Sequence, residues 1–122
     1  MRPTHIANIL IIDDDPDIRT LLRDALAKGG HDADFAASGK EGLEAIDKAV
    51  PDLILLDLMM PVTDGYEFLD HFGRLELAPS IPIIILTALN QGDHVVEGLR
   101  RGANDYVTNP FSLEELTARI NV

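Results

Sequence analysis

The stretch Ile9-Leu10-Ile11-Ile12-Asp13-Asp14-Asp15 is an unbroken aliphatic run that stops at carboxylates. The same punctuation recurs twice: Leu53 to Leu56 stops at Asp57, and Ile83 to Leu86 stops at Thr87. Short continuous apolar runs with polar ends read as strands buried on both faces, the mark of a parallel sheet covered by helices. Parallel strands all end on one edge. Asp13, Asp14, Asp57 and Thr87 are therefore expected to converge in the crevice outside the carboxyl ends of the strands, where open α/β sheets bind ligands.

Between these runs the spacing turns helical. Ile18, Leu21, Leu22, Ala25 and Leu26 recur at helical intervals, with Asp15 as N-cap, Pro16 in the first helical position and Gly29-Gly30 as the stop. Leu43, Ile46 and Val50 predict a second helix opened by Ser38 and closed before Pro51. Phe68, Leu69 and Phe72 predict a third after an Asp64-Gly65 turn. Val95, Val96 and Leu99 outline a fourth ended by Gly102, and Leu113, Leu116 and Ile120 a fifth capped by Ser112. Asp32 to Ala37 by position, and Asn104 to Thr108 by its Tyr-Val-Thr content, read as two further strands, both candidates for sheet edges. Alternating elements with short connections imply a five-fold βα repeat with helices on both faces.

The chain has 122 residues, the size of one domain. We expect a single domain over residues 1–122, and read the pattern that breaks off early in the fifth helix as a piece of a longer protein or a trimmed chain. Acidic residues number 21 against 10 basic ones, a net charge of -11 that argues against direct nucleic-acid binding or docking on an anionic membrane. With no cysteine there are no disulfides or thiolate metal sites. No apolar stretch approaches the ~18 residues of a membrane span, and Met1 to Ala7 has no signal-peptide core, so the expected location is cytoplasmic. His5, His31, His71 and His94 lack ligand spacing and read as surface residues.

An adjacent aspartate pair after the first strand, a lone aspartate after the third and Thr-Ala after the fourth resemble the receiver domain of two-component response regulators. Other parts of the resemblance are Leu-Leu-Asp-Leu-Met-Met-Pro around Asp57, Asp64-Gly65, Gly-Ala-Asn-Asp-Tyr at 102 to 106 and Asn-Pro-Phe at 109 to 111. The resemblance implies a flavodoxin-like doubly wound (βα)5 fold with a five-stranded parallel sheet in the order 2-1-3-4-5. Clustered carboxylates suit a hard divalent cation, and few carboxylates plus waters suit Mg²⁺. The expected ligands are Asp13, Asp14 and Asp57, with the Met59 backbone carbonyl added by resemblance. Asp57 is the candidate phosphoacceptor, able to form an aspartyl phosphate. Thr87 is expected to donate its hydroxyl to a phosphoryl oxygen, with the small Ala88 leaving room. By resemblance Tyr106 is the switch ring, whose inward turn remodels the face formed by helix four, strand five and helix five.

The pattern departs from the family at one place. Receivers carry a lysine before the Pro-Phe that follows strand five, and this chain has Asn109. No lysine stands nearby, because Lys28, Lys40 and Lys48 all precede Asp57. With Mg²⁺ bound, three aspartates leave a formal charge of about -1 where a lysine would give about 0, and phosphorylation takes the sum to about -2. Asn109 can donate a hydrogen bond but no charge, so phosphorylation is expected to be slowed. Met59 and Leu89, two residues beyond Asp57 and Thr87, match positions that in receivers influence water attack on the phosphoryl group, so the resemblance implies the same role here. Both are apolar, which predicts slow loss of the group. Asp105 and Arg119 match an acidic and a basic position that pair across a dimer in transcription-factor receivers, and read equally as two solvated surface charges.

The expected role is a signalling module rather than an enzyme, phosphorylated by a histidine kinase or phosphotransfer protein. It would act on an output domain or a second copy through the face of helix four, strand five and helix five. The alternative is a phosphorylation-independent pseudo-receiver that serves as a protein–protein interaction module, a reading that Asn109 makes plausible. A phosphohydrolase of the haloacid dehalogenase type needs an acid/base aspartate two residues after the nucleophile, where this chain has Met59. No glycine-rich phosphate loop follows any strand, which disfavours nucleotide binding.

Overall fold

A computed structural model describes residues 8–58, 64–75, 78–88, 92–109 and 112–120. Each aliphatic run is a strand: β1 (Asn8–Ile12), β3 (Leu53–Asp57) and β4 (Ile83–Ala88). The two weaker stretches are β2 (Asp32–Ala36) and β5 (Asp105–Asn109). All pairings are parallel, in the order β2-β1-β3-β4-β5, so β2 and β5 are the edges. Side chains alternate across a strand, which splits every aliphatic run between two cores. Ile9, Ile11, Leu55 and Ile84 pack on one face, with Leu22, Leu26 and Leu116 from the helices α1 (Pro16–Lys28) and α5 (Leu113–Ile120). Leu10, Ile12, Ile54 and Ile85 pack on the other, with Ile46 of α2 (Gly39–Lys48) and Phe68 and Phe72 of α3 (Asp64–Phe72). Among the described residues no helix is long and apolar enough to cross a membrane.

The predicted caps form. The Asp15 carboxylate accepts from the Asp17 N–H at 2.9 Å, Ser38 Oγ from the Glu41 N–H at 3.1 Å, and Ser112 Oγ from the Glu115 N–H at 2.9 Å. At the end of α1 the Gly30 N–H donates to the Ala27 carbonyl and the His31 N–H to the Leu26 carbonyl, both at 3.0 Å, around a left-handed Gly30 at φ 85°. That turn folds the next residue back on the helix. His31 is therefore only 6% exposed, which corrects the surface reading. His71 is exposed, while His5 lies outside the described residues.

Several residues on the predicted apolar stripes do not reach a core. Leu21 is 47% exposed, because it lies about 100° round the helix from the buried Leu22. Val50 is exposed because α2 stops at Lys48 and Ala49 is already extended. Asp64-Gly65 opens α3 rather than preceding it as a turn.

The largest difference concerns α4 (Gly92–Arg100), where Val96 and Leu99 point outward and Gly98 is buried. A Cβ at Gly98 would collide with the Ile85 side chain and press on Leu58 at 3.2 Å. The glycine lets the helix approach β4 closely. Gly98→Ala is expected to destabilise the fold by about 1–3 kcal/mol through overpacking, outweighing alanine's gain in helix propensity. Val96→Ala should stay within about 0.5 kcal/mol. Chemical denaturation of the two variants checks this, and equal stabilities would show that α4 can move away from the sheet without loss.

Candidate functional site

The acidic site is assembled by the ends of β1 and β3. The Asp13 N–H donates to the Ala36 carbonyl at 3.0 Å, carrying the ladder one residue past β1. The Asp13 carboxylate accepts from the Asp15 N–H at 2.9 Å. Asp57 is the last residue of β3 and lies opposite Leu86, and the Leu58 N–H donates to the Leu86 carbonyl at 3.1 Å. Asp13, Asp14 and Asp57 each present a carboxylate oxygen within 4.8 Å of the others. The first is buried, the second exposed and the third between them. Sequence reasoning placed these three together, and the fold does bring them together.

Burial pushes the Asp13 carboxyl up to about 7 from its ordinary 3.8, against the Asp15 N–H bond that favours the charged form. The charges of Asp57, Asp14 and Asp15 add to the rise. A group of hard oxygen donors with that much repulsion fits a divalent cation, which would relieve it. Oxygen donors without nitrogen or sulfur favour Mg²⁺ over zinc.

Thr87, Ala88 and Asn109 are described through their backbone. Thr87 is paired with Thr108 and Ala88 with Asn109, so both strand ends reach the same edge as Asp57. Met59 and Leu89 lie outside the described residues. Tyr106 sits on β5 opposite Ile85 and is 39% exposed, an outward position for the predicted switch ring. Arg119 donates from one Nη to both oxygens of Asp105 at 2.8 Å, and another Nη lies 3.6 Å from Glu115. The pair is thus formed within the chain, in place of two separately solvated charges.

Two contacts to the site escaped sequence reasoning. Gly65 lies against the end of β3, where an added Cβ would be 3.2 Å from the Asp57 carbonyl oxygen. Its sequence signal, Asp-Gly, reads as a turn and does not reveal that approach. The Arg19 guanidinium donates to the Asp13 carbonyl at 3.2 Å. A separate cavity of about 590 Å³, lined by Leu53, Pro82, Ile84 and Ile120 with Asp105 and Arg119 among its polar neighbours, opens at the amino ends of the strands. It is mainly apolar and lies at the opposite edge from the carboxylates.

The signature of the response regulator receiver domain matches residues 9–121. The DNA-binding dual master transcriptional regulator RpaA of Synechocystis is 43% identical over 112 residues, which cover 92% of this chain and 46% of that protein. The phosphate regulon transcriptional regulatory protein PhoB of Pseudomonas aeruginosa is 44% identical over 112 residues, covering 92% and 49%. The chain spans about half the length of the curated relatives it matches. Chemotaxis protein CheY4 of Vibrio cholerae is similar in structure, with a TM-score of 0.88, 31% identity and coverage of 96% of this chain and 98% of that one. The receiver domain of the Francisella response regulator 1452 gives a TM-score of 0.83 at 36% identity, covering 94% and 93%.

Proposed function

The chain belongs to the response regulator receiver domain family, and from that premise we propose that it is a phosphoacceptor switch modified at Asp57. The observation that carries this reading is the position of Asp57, half-buried at the end of β3 with a carboxylate oxygen within 4.8 Å of those of the buried Asp13 and the exposed Asp14. Asp13, Asp14 and Asp57 would hold Mg²⁺, joined by the Met59 carbonyl. The ion, when bound, supplies neutralising charge to the acidic cluster and to the transferring phosphoryl oxygens. A carboxylate oxygen of Asp57 attacks phosphorus. The new P–O bond forms as the bond to the donor breaks, and the donor group leaves with that electron pair and takes up a proton. Thr87 donates its hydroxyl to a phosphoryl oxygen and Asn109 its amide N–H. The donor is a phosphohistidine on a kinase or a phosphotransfer protein.

The readout is a change at α4, β5 and α5, where Tyr106 turns inward as Thr87 engages the phosphoryl group. Val96, Leu99 and Tyr106 are exposed on these elements, apolar surface that an output domain or a second copy can cover. Two relatives are transcriptional regulators by name, so an output domain that binds DNA is consistent with a receiver that carries a charge of -11 itself.

The test is intact-protein mass after incubation with Mg²⁺ and a small-molecule phosphodonor, with Asp57→Asn alongside. One phosphoryl adduct, absent in Asp57→Asn and lost slowly in Mg²⁺ buffer, is expected. A chain that binds its partners equally well and takes no adduct would be a phosphorylation-independent interaction module, the alternative that the missing lysine at Asn109 raises.

A further inference from the structure

Asp13 is fixed on three sides: its N–H by Ala36, its carboxylate by the Asp15 N–H, and its carbonyl by the guanidinium of Arg19. The third bond comes from six residues along the chain. Side chains on a helix lean toward its amino end, and that is how a residue closing the first turn of α1 reaches back to the acidic turn before the helix. A cation near a helix N-terminus opposes the helix dipole, so this placement is not explained by the helix itself. The Asp13 carbonyl lies one residue past the end of β1, and Arg19 supplies it with a donor.

The guanidinium is in turn held from outside. It lies 5.9 Å from the ring centroid of Phe35 on β2, and Arg23, one turn on, lies 5.6 Å from the same ring. A planar guanidinium can stack on a ring and donate in its own plane at once, which an ammonium cannot do as well. Phe35, Arg19 and Asp13 thus link the edge strand, the first helix and the acidic turn. Arg23 shares the ring contact, and no bond from it to the acidic turn is present among the described residues.

We propose that Arg19 is a positioning residue of the acidic site, holding the Asp13 carbonyl so that the carboxylates of Asp13 and Asp14 face Asp57 in a geometry ready for a divalent cation. The inference rests on the receiver reading above and goes beyond it. Partners that orient ligands typically alter metal affinity about 10- to 100-fold when removed, and a backbone contact belongs at the low end.

The experiment compares wild type with Arg19→Met, Arg19→Lys and Arg23→Met, measuring Mg²⁺ affinity by calorimetry and amide exchange in metal-free protein. Arg19→Met should weaken Mg²⁺ binding about tenfold and speed exchange of the Asp15 amide, with Arg19→Lys between it and wild type. Arg23→Met, which loses the ring contact and an exposed ion pair with Asp24 but no bond to the acidic turn, should bind within about twofold of wild type. Phosphorylation of Arg19→Met should fall at low Mg²⁺ and recover at saturating Mg²⁺, a split that general destabilisation would not produce. Unchanged affinity in Arg19→Met, or equal weakening in Arg23→Met, overturns the proposal while leaving the receiver reading intact. A wild-type chain that binds no Mg²⁺ and takes no phosphoryl group overturns both.

Discussion

Replacing Asn109 with lysine is expected to raise the rate of Asp57 phosphorylation by a small-molecule donor about 10²- to 10³-fold at fixed Mg²⁺. Asn109 is the last residue of β5, paired with Ala88 next to Thr87, so a long side chain there starts from the edge where the carboxylates meet. A cation about 4 Å from the transferring group contributes on the order of 4 kcal/mol at an effective dielectric constant near 20, which matches the upper end of that range. The gain belongs to the transition state more than to the ground state. Charge accumulates on the phosphoryl oxygens as transfer proceeds, and a fixed cation needs no reorganisation to meet it. Asn109→Met supplies length without charge and should leave the rate within a few-fold of wild type. Equal rates in wild type and Asn109→Lys would mean that the missing cation does not limit transfer, and that the Asn109 amide already does what the site requires.

The carboxylates of that site were legible because their signal is local. An aliphatic run ending at an acid specifies a buried parallel strand and its edge in one phrase, and β1, β3 and β4 fall within two residues of the runs that announced them. The edge strands carried less signal. Asp32 to Ala36 has one buried residue and an exposed Phe35, so its composition hardly distinguishes strand from loop. Helical periodicity shows which residues share a ridge but not what stands opposite it. Val96 and Leu99 form a ridge that faces out, and contact with β4 is made by Gly98, whose lack of a side chain is the reason the contact exists. His31 and Arg19 were illegible for a related reason. The burial of one follows from a turn at a helix end, and the role of the other from a bond to a backbone atom, and neither has a periodicity.

Metal-free protein is expected to lose stability as pH rises from about 5 to 8, in the opposite sense to a salt-bridged carboxylate. The Asp13 carboxyl is held at about 7 in the folded chain against an ordinary 3.8. Between those values the folded state binds a proton that the unfolded state has released, so unfolding free energy falls with pH through that interval and levels off above it. Over the whole interval the effect is on the order of 4 kcal/mol, of which about 2 kcal/mol falls between pH 5.5 and 8, and it will appear as a melting temperature lower at pH 8 than at pH 5.5. Mg²⁺ reverses the trend, because its binding requires the deprotonated carboxylate and is strongest where the apo protein is weakest. Asp13→Asn separates this from the mutual repulsion of the other acids, which also grows with pH but acts on both proteins. The variant should be the more stable of the two at pH 8 without metal, with a clearly shallower slope between pH 5.5 and 8, and little stabilised by Mg²⁺. If it keeps the wild-type slope, the pH dependence belongs to the net charge of -11 rather than to one buried carboxyl.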